Sequence, residues 1–281
     1  MIKYKTPILL KDERMILEQK VFLENAIEQL KKEKSIIGIA AAGSYITGEM
    51  DDFSDIDLVI AIEPENYNRV MNEKLEIAKG LGNLLSAFTG EHVGEPRVLI
   101  CLYDNPLIHV DLKFVSLDDI AHRVEDFIIL WEVDNKVSEK LKEEQACFPE
   151  PSSQWLEDRF WIWVHYGAGK IGRGEIFETV ELISFLRQTV IGPLILLKKG
   201  KQPKGVRKIE IDAPEYLERL KQSVVTYERE SCYEGLKKIV ELYKELRSEQ
   251  NSEFKYNQDA EKASLKYLED VYHKYVMKEG A

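Results

Sequence analysis

The chain is poor in cysteine, in unbroken apolar runs and in positive charge, and each shortage removes a class of protein. Its three cysteines, Cys101, Cys147 and Cys232, share no paired spacing. They cannot build a disulfide framework or a zinc site, so reduced thiols and a cytoplasmic location are expected. No apolar stretch attains the roughly 18 uninterrupted residues that span a bilayer. The nearest, residues 185–197, is broken by Arg187 and Gln188. The opening Met-Ile-Lys-Tyr-Lys-Thr has no hydrophobic core of the signal-peptide kind. There is no internal repeat and no low-complexity tract. Against 50 Asp and Glu stand only 39 Lys and Arg, a net charge of −11. The deficit is local. Residues 1–150 hold 17 basic and 29 acidic side chains, whereas residues 151–281 hold 22 and 21. An acidic N-terminal half argues against a nucleic acid held there and suits a small cationic partner.

What is present is concentrated between Ile36 and Ile62. An apolar run, residues 36–42, leads into Gly43-Ser44, a polar loop follows, and a second apolar run, residues 56–62, opens on Asp55-Ile56-Asp57. Two carboxylates at i and i+2 of a strand lie on one face, roughly 7 Å apart at a rise of about 3.3 Å per residue. Like charges so placed repel unless a cation stands between them. The pair therefore suits a hard divalent ion. Gly43, lacking a Cβ, lets backbone amides approach a phosphate closely, and Ser44 adds a hydroxyl donor. The order is phosphate cradle, loop, metal-binding carboxylates. Further on, residues 106–115 alternate, with Ile108, Val110, Leu112 and Phe114 on one face and His109, Asp111 and Lys113 on the other. Asp111 can share the cleft of Asp55 and Asp57. The competing reading makes it an edge-strand aspartate paired with Lys113 or Arg97.

Gly-Ser, a loop of this length and Asp-x-Asp between apolar residues resemble the signature of the nucleotidyltransferase superfamily, the DNA polymerase beta-like fold that includes the aminoglycoside and lincosamide nucleotidyltransferases. The resemblance implies an α+β chain, with a small mixed β-sheet domain followed by an all-α helical bundle that closes over it. It implies an enzyme that uses one or two Mg²⁺ ions and a nucleoside triphosphate. Asp55, Asp57 and Asp111 would be the metal-binding and catalytic carboxylates, with Asp111 a ligand or base, and Gly43 and Ser44 would bind the nucleotide. The implied reaction moves a nucleoside monophosphate, AMP from ATP, onto a hydroxyl of a small molecule such as an aminoglycoside-type antibiotic, and releases pyrophosphate. Alternatives are a protein- or RNA-adenylylating enzyme and an inactive nucleotide-binding regulator. Base preference and oligomeric state are not written in the sequence.

Composition changes at Cys147-Phe-Pro-Glu-Pro-Ser-Ser153, which puts the boundary between domains 1–146 and 147–281. Before it, the pattern predicts a helix over 11–33 with Ile16, Val21, Leu23, Ile27 and Leu30 near one stripe, strands at 36–42 and 56–62, and a helix over 65–88. A hairpin over 97–103 and 107–115 and a helix start at 116–119 follow. Beyond it, helices are predicted over 154–172, 175–198, 214–229, 231–249 and 257–277. The first carries Trp155, Phe160 and Trp161 as core aromatics, with Trp163 and Tyr166 free to stack on a base or sugar. It ends in Lys170 and Arg173, which the resemblance makes ligands of the triphosphate. Arg159, eleven residues before Lys170, falls on the same face. Glu175, Glu178 and Glu181 are acidic residues at a helix start that could hold a cationic acceptor. His165 reads as a packed histidine, and the Lys-rich segment 198–208 as a flexible solvated loop.

Overall fold

The structure, a computed structural model, describes residues 17–248 and 254–277. It divides into two compact units, Met1–Phe148 and Pro149–Ala281. The α+β class expected from the sequence is the one observed: a six-stranded mixed sheet in the first unit, helices throughout the second.

In the first unit α1 (Leu17–Leu30) buries Phe22, Leu23, Ala26, Ile27 and Leu30. The stripe differs from the one predicted: Val21 points outward, 48% exposed, and Phe22 takes its place. Residues 11–16 lie outside the described residues. The chain then forms β1 (Ile36–Ala41), the single turn α2 (Ser44–Thr47), β2 (Ile56–Ile62) and α3 (Tyr67–Lys79). The predicted helix over 65–88 is corrected at this point. It stops at Gly80, and Asn83–Gly90 form an edge strand, β3, paired antiparallel with β4 (Glu95–Asp104). Two glycines flanking Leu81 break the helix, and ladder hydrogen bonds then override the helical propensity of the Leu-Leu-Ser-Ala run. β5 (Ile108–Ser116) returns antiparallel to β4. The predicted helix start at 116–119 amounts to one 3₁₀ turn, Leu117–Asp119. A further strand absent from the sequence reading, β6 (Ile128–Glu132), pairs with β1, and α4 (Lys136–Lys140) follows.

The strand order is β3-β4-β5-β2-β1-β6, and only β2 and β5 run parallel. Burial on both faces explains why β1 and β2 read as continuous apolar runs. Ile56, Leu58, Ile60 and Ile62 pack on the α1 side with Val110, Leu112 and Phe114. Val59 and Ala61 pack on the other side with Ile37, Val115 and Val137. Asp57 falls on that second face by alternation, so it costs the main core nothing.

In the second unit α5 (Ser153–Arg173) is capped by the Ser152 side chain, which accepts from Trp155 N, and ends where Gly174 turns left-handed at φ 74°. Phe160 and Trp161 are core residues as expected, but Trp155 is 40% exposed and stacks under the Arg159 guanidinium at 4.2 Å. The segment Ile176–Lys198 is one helical column: α6 (Ile176–Leu186), a π turn over Arg187–Ile191, and α7 (Gly192–Lys198). By length and composition it could cross a membrane, the arginine notwithstanding. Here it forms the core, with Ile183, Leu186, Val190, Ile191 and Ile195 buried. After the short α8 (Ile209–Asp212), the predicted helix over 214–229 shrinks to a 3₁₀ turn and α9 (Leu217–Lys221). Ser223 ends it: its hydroxyl donates back to Leu220 O at 2.6 Å, and its carbonyl accepts from Arg187. Two long helices, α10 (Arg229–Ser248) and α11 (Gln258–Val271), complete the unit. They are joined to α5 by a buried carboxylate. Glu157 accepts from Arg247 at 2.8 Å, Tyr243 at 2.7 Å, Trp161 at 3.0 Å and the Asn257 amide at 3.0 Å. Burial pushes its pKa up, but these donors outweigh burial and hold it below the usual carboxylate range.

Candidate active site

The parallel pairing of β2 and β5 sets the geometry of the site. Asp57 and Asp111 are register partners across that pair, so their side chains leave the same face from strands about 4.8 Å apart. Asp55 stands two residues before Asp57, at the mouth of β2. Its charge reaches Asp111, whose carboxyl is raised above the ordinary range, first by burial and further by Asp55, against the opposing pull of His109. Asp55 and Asp111 thus share one field, and Asp57 stands across the ladder from Asp111.

Gly43 closes on the same group. Its backbone, at φ 60° and ψ −140°, occupies a region open to glycine. A Cβ there would lie 2.0 Å from Asp57 Oδ2 and 3.0 Å from its Cγ. The Ala42 amide donates to the Asp57 carbonyl at 3.0 Å, which ties the end of β1 to the start of β2. So Gly43 and the Asp57 carboxylate, fourteen residues apart in sequence, come together through the missing side chain. Gly43 is expected from the sequence to admit a phosphate; in the structure its missing Cβ admits Asp57.

Asp111 is not paired with Lys113 or Arg97. Glu95 takes both: Arg97 Nε and Nη2 donate to it at 2.7 and 2.6 Å, and Lys113 Nζ stands at 2.9 Å. Arg97 first, with Lys113, holds Glu95 at a pKa of about 2 against the opposing effect of burial. The partner of Asp111 is His109, whose Nε2 lies 2.9 Å from Oδ1. In the strand pattern His109 shares the face of Asp111, and two residues of strand spacing are the signal that joins them.

Among the described residues, no three acidic, histidine or cysteine side chains converge tightly enough to cage a metal ion. Mg²⁺ is held by one or two carboxylates plus phosphate oxygens and water rather than by an all-protein cage, and the register pair Asp57 and Asp111 offers two. The donor set at β2 and β5 is hard oxygen, and Gly43 sets no Cβ of its own against the Asp57 carboxylate. These residues fit the ion.

Lys170 and Arg173, at the end of α5, belong to the second unit. Lys170 is ion-paired with Glu175 and, at 2.8 Å, with Glu178, and stands 4.9 Å from the centre of the Tyr166 ring. Tyr166 donates to Glu178 in turn. Arg173 is 70% exposed and only loosely held, 3.7 Å from Glu175. His165 is stacked on Tyr267 at 4.4 Å, a packed histidine as the sequence suggested. The basic segment 198–208 is tied down more than expected. Lys198 donates to the Tyr216 hydroxyl at 2.7 Å, Lys199 pairs with Glu215 at 2.9 Å and Lys201 with Asp212 at 3.0 Å.

Residues 23–162 match the family model of the nucleotidyltransferase domain. No curated protein matches the chain. Among solved structures, an aminoglycoside 6-adenyltransferase from Bacillus subtilis aligns at 15% identity and a TM-score of 0.40, covering 92% of this chain and 99% of its own. A nucleotidyltransferase-like protein from Exiguobacterium sibiricum aligns at 14% identity and a TM-score of 0.36, covering 93% and 90%. A STING-associated c-di-GMP synthase from Capnocytophaga granulosa aligns at 11% identity and a TM-score of 0.32, covering 83% and 81%.

Proposed function

Because the chain belongs to the nucleotidyltransferase family, and is a transferase enzyme on that ground, we propose that it moves AMP from ATP onto a hydroxyl group of a small molecule, an aminoglycoside-type compound being one such acceptor. The observation that carries this reading is the in-register pair Asp57 and Asp111, with Gly43 packed against Asp57. The acceptor oxygen attacks the α-phosphorus in line. A new O–P bond forms, the α–β anhydride bond breaks, and pyrophosphate leaves with the bonding electrons. Asp111, raised toward protonation by its burial, is suited to receive the hydroxyl proton. Asp55 and Asp57, with Asp111, are the residues that would hold Mg²⁺, which when bound supplies charge neutralisation on the triphosphate oxygens. Ser44 and the amides around Gly43 orient the phosphates. Lys170 and Arg173 are further phosphate ligands in this reading, and Lys170 would exchange Glu175 and Glu178 for phosphate oxygen. The free thiols, all three unpaired, fit work in a reducing, cytoplasmic setting.

Incubation with ATP labelled at the α-phosphate, Mg²⁺ and a library of hydroxyl compounds tests the proposal. Label in a small molecule supports it. Label in protein or RNA makes the chain a macromolecule-modifying enzyme, and nucleotide binding without any transfer makes it a regulator; either result would overturn the small-molecule reading.

A further inference from the structure

One line of side chains crosses four strands on the face that carries the carboxylates. Phe88 of β3 is the register partner of Ile100 of β4, Ile100 is that of Asp111 of β5, and Asp111 that of Asp57 of β2. Directly opposed residues share a face and stand about 5 Å apart, so Ile100 adjoins Asp111 and Phe88 lies about 10 Å from it. A second line runs beside the first, from Ser86 of β3 through Leu102 of β4 to His109 of β5. Between β5 and β4, charge gives way to apolar surface.

β4 has a core layer on one face only. Its Leu99, Cys101 and Tyr103 are buried in the core beneath α1. The apolar cluster on the carboxylate face of the sheet takes, among the described residues, no member from β3 or β4. Leu102 is 39% exposed there, and Phe88, whose ring meets that of the exposed His92 at 5.6 Å, is 54% exposed. A strand with one solvated face alternates apolar with polar residues, and an unbroken run such as Val98-Leu-Ile-Cys-Leu-Tyr103 belongs to a strand covered on both. The composition of β4 therefore calls for a second cover, on the face of Asp111.

The direction of the reaction says which molecule supplies it. The Gly43-Ser44 turn follows β1, and in the strand order β3-β4-β5-β2-β1-β6 it stands on the far side of β2 from β4. Phosphates bound at that turn reach the carboxylates from the β1 side. An oxygen attacking in line enters opposite the leaving pyrophosphate, from the side of β5. Whatever that oxygen is attached to then lies over β4 and β3.

We propose that Ile100, Leu102 and Phe88 form an apolar platform for the acceptor, and that the acceptor is a hydroxyl compound carrying an apolar ring or chain within about 5–10 Å of the hydroxyl it offers. The inference rests on the nucleotidyl-transfer reading for the identity of the bound molecule, and on the strand register for the platform itself. It ranks acceptors: of two compounds that offer the same hydroxyls, the one with the apolar ring is preferred.

The test is an equilibrium titration of the full chain by ligand-observed NMR, without ATP or Mg²⁺. The probes are phenyl β-glucoside and methyl β-glucoside, which offer the same sugar hydroxyls and differ in the ring alone. The phenyl compound binds about tenfold or more tighter, the scale of removing one ring from water. Phe88→Ser and Leu102→Ser each erase most of that preference and leave ATP affinity unchanged; both side chains are exposed, so their removal spares the core. Val21→Ser removes an exposed valine of α1, which packs on the opposite face of the sheet, and keeps the preference. A wild type with no preference, a preference that survives both platform variants, or one that Val21→Ser abolishes equally overturns the proposal. So does a chain that is dimeric by light scattering and monomeric as Phe88→Ser, for then a second copy is the cover. The outcome is separable from that of the transfer assay. Platform-dependent binding with no α-phosphate transfer to any hydroxyl compound keeps the platform and removes the reaction. Transfer with a phenyl preference that ignores both platform variants removes the platform alone.

Discussion

Replacing Gly43 by alanine adds one methyl group and tests the site at its tightest point. Two terms oppose the substitution. The backbone stands at φ 60° and ψ −140°, and a non-glycine residue in so sparsely populated a region costs on the order of 1–3 kcal/mol. The Cβ would also lie 2.0 Å from Asp57 Oδ2, so the carboxylate must move by more than about 1 Å to regain ordinary contact distance. Gly94 provides the control. It too has a positive φ, 75°, but nothing lies within 4 Å of its notional Cβ. Gly94→Ala therefore carries a backbone term alone, about 1–2 kcal/mol. That lowers the melting temperature by roughly 2–8 °C, at about 2–4 °C per kcal/mol for a unit of this size. Gly43→Ala should melt as low or lower. In activity the two part company: Gly94→Ala keeps wild-type transfer, whereas Gly43→Ala loses about 10²-fold or more, the cost of misplacing a catalytic group by about 1 Å. The assay is initial-rate pyrophosphate release at saturating ATP and Mg²⁺, beside a thermal melt of the same preparations. A Gly43→Ala protein that transfers within about threefold of wild type, far from the 10²-fold loss of a displaced group, refutes the idea that this contact positions Asp57.

Three further outcomes are expected. Asp55→Asn and Asp57→Asn each abolish transfer with the fold intact, because the proposed site loses a carboxylate charge at a strand mouth rather than a core group; near-normal turnover at saturating Mg²⁺ in either variant would discredit the assignment. Ser44→Ala weakens ATP binding by on the order of 1–2 kcal/mol, one hydrogen bond to a charged phosphate, as read by titration. Asp111→Asn slows transfer by about 10²-fold or more and yet melts higher than wild type at neutral pH. The folded-state pKa of Asp111 is raised, by burial first and by Asp55 last, against the opposing pull of His109, so its contribution to stability is present below the unfolded pKa and lost as pH rises through the folded one. Asparagine is neutral throughout and avoids that loss, so its advantage shrinks toward acid pH. A pH series of melting temperatures checks the sign.

The strands that carry the site were legible in the sequence because they are central. β1, β2 and β5 are buried on both faces or alternate strictly, so their few polar residues stand out against the apolar background. Asp57 and Asp111 were visible for that reason, and Gly43 by its position at the end of such a run. The edge strands were not legible. β3 reads as a helical continuation because the pairing with β4 that makes it a strand is long-range, and β6 is short and partly exposed. Side-chain partners were the least legible. That Glu95 would take Arg97 and Lys113, leaving Asp111 to His109, depends on the register of β4 against β5. The pairing of Lys170 with Glu175 and Glu178 depends on the left-handed turn at Gly174 that folds α6 back toward the end of α5. The burial of Gln19 has no sequence signature at all, since only the packing of α1 against residues 52–55 creates it.

The central claim is that this constellation breaks the α–β anhydride bond of ATP and keeps the α-phosphate on the acceptor. Parallel reactions with ATP labelled at the α- or the γ-phosphate measure it directly. The account predicts that α-label appears in the acceptor, that γ-label appears only in pyrophosphate, and that both signals vanish in Asp57→Asn. Gamma-label in the acceptor or in inorganic phosphate, with AMP retained in ADP, would contradict it.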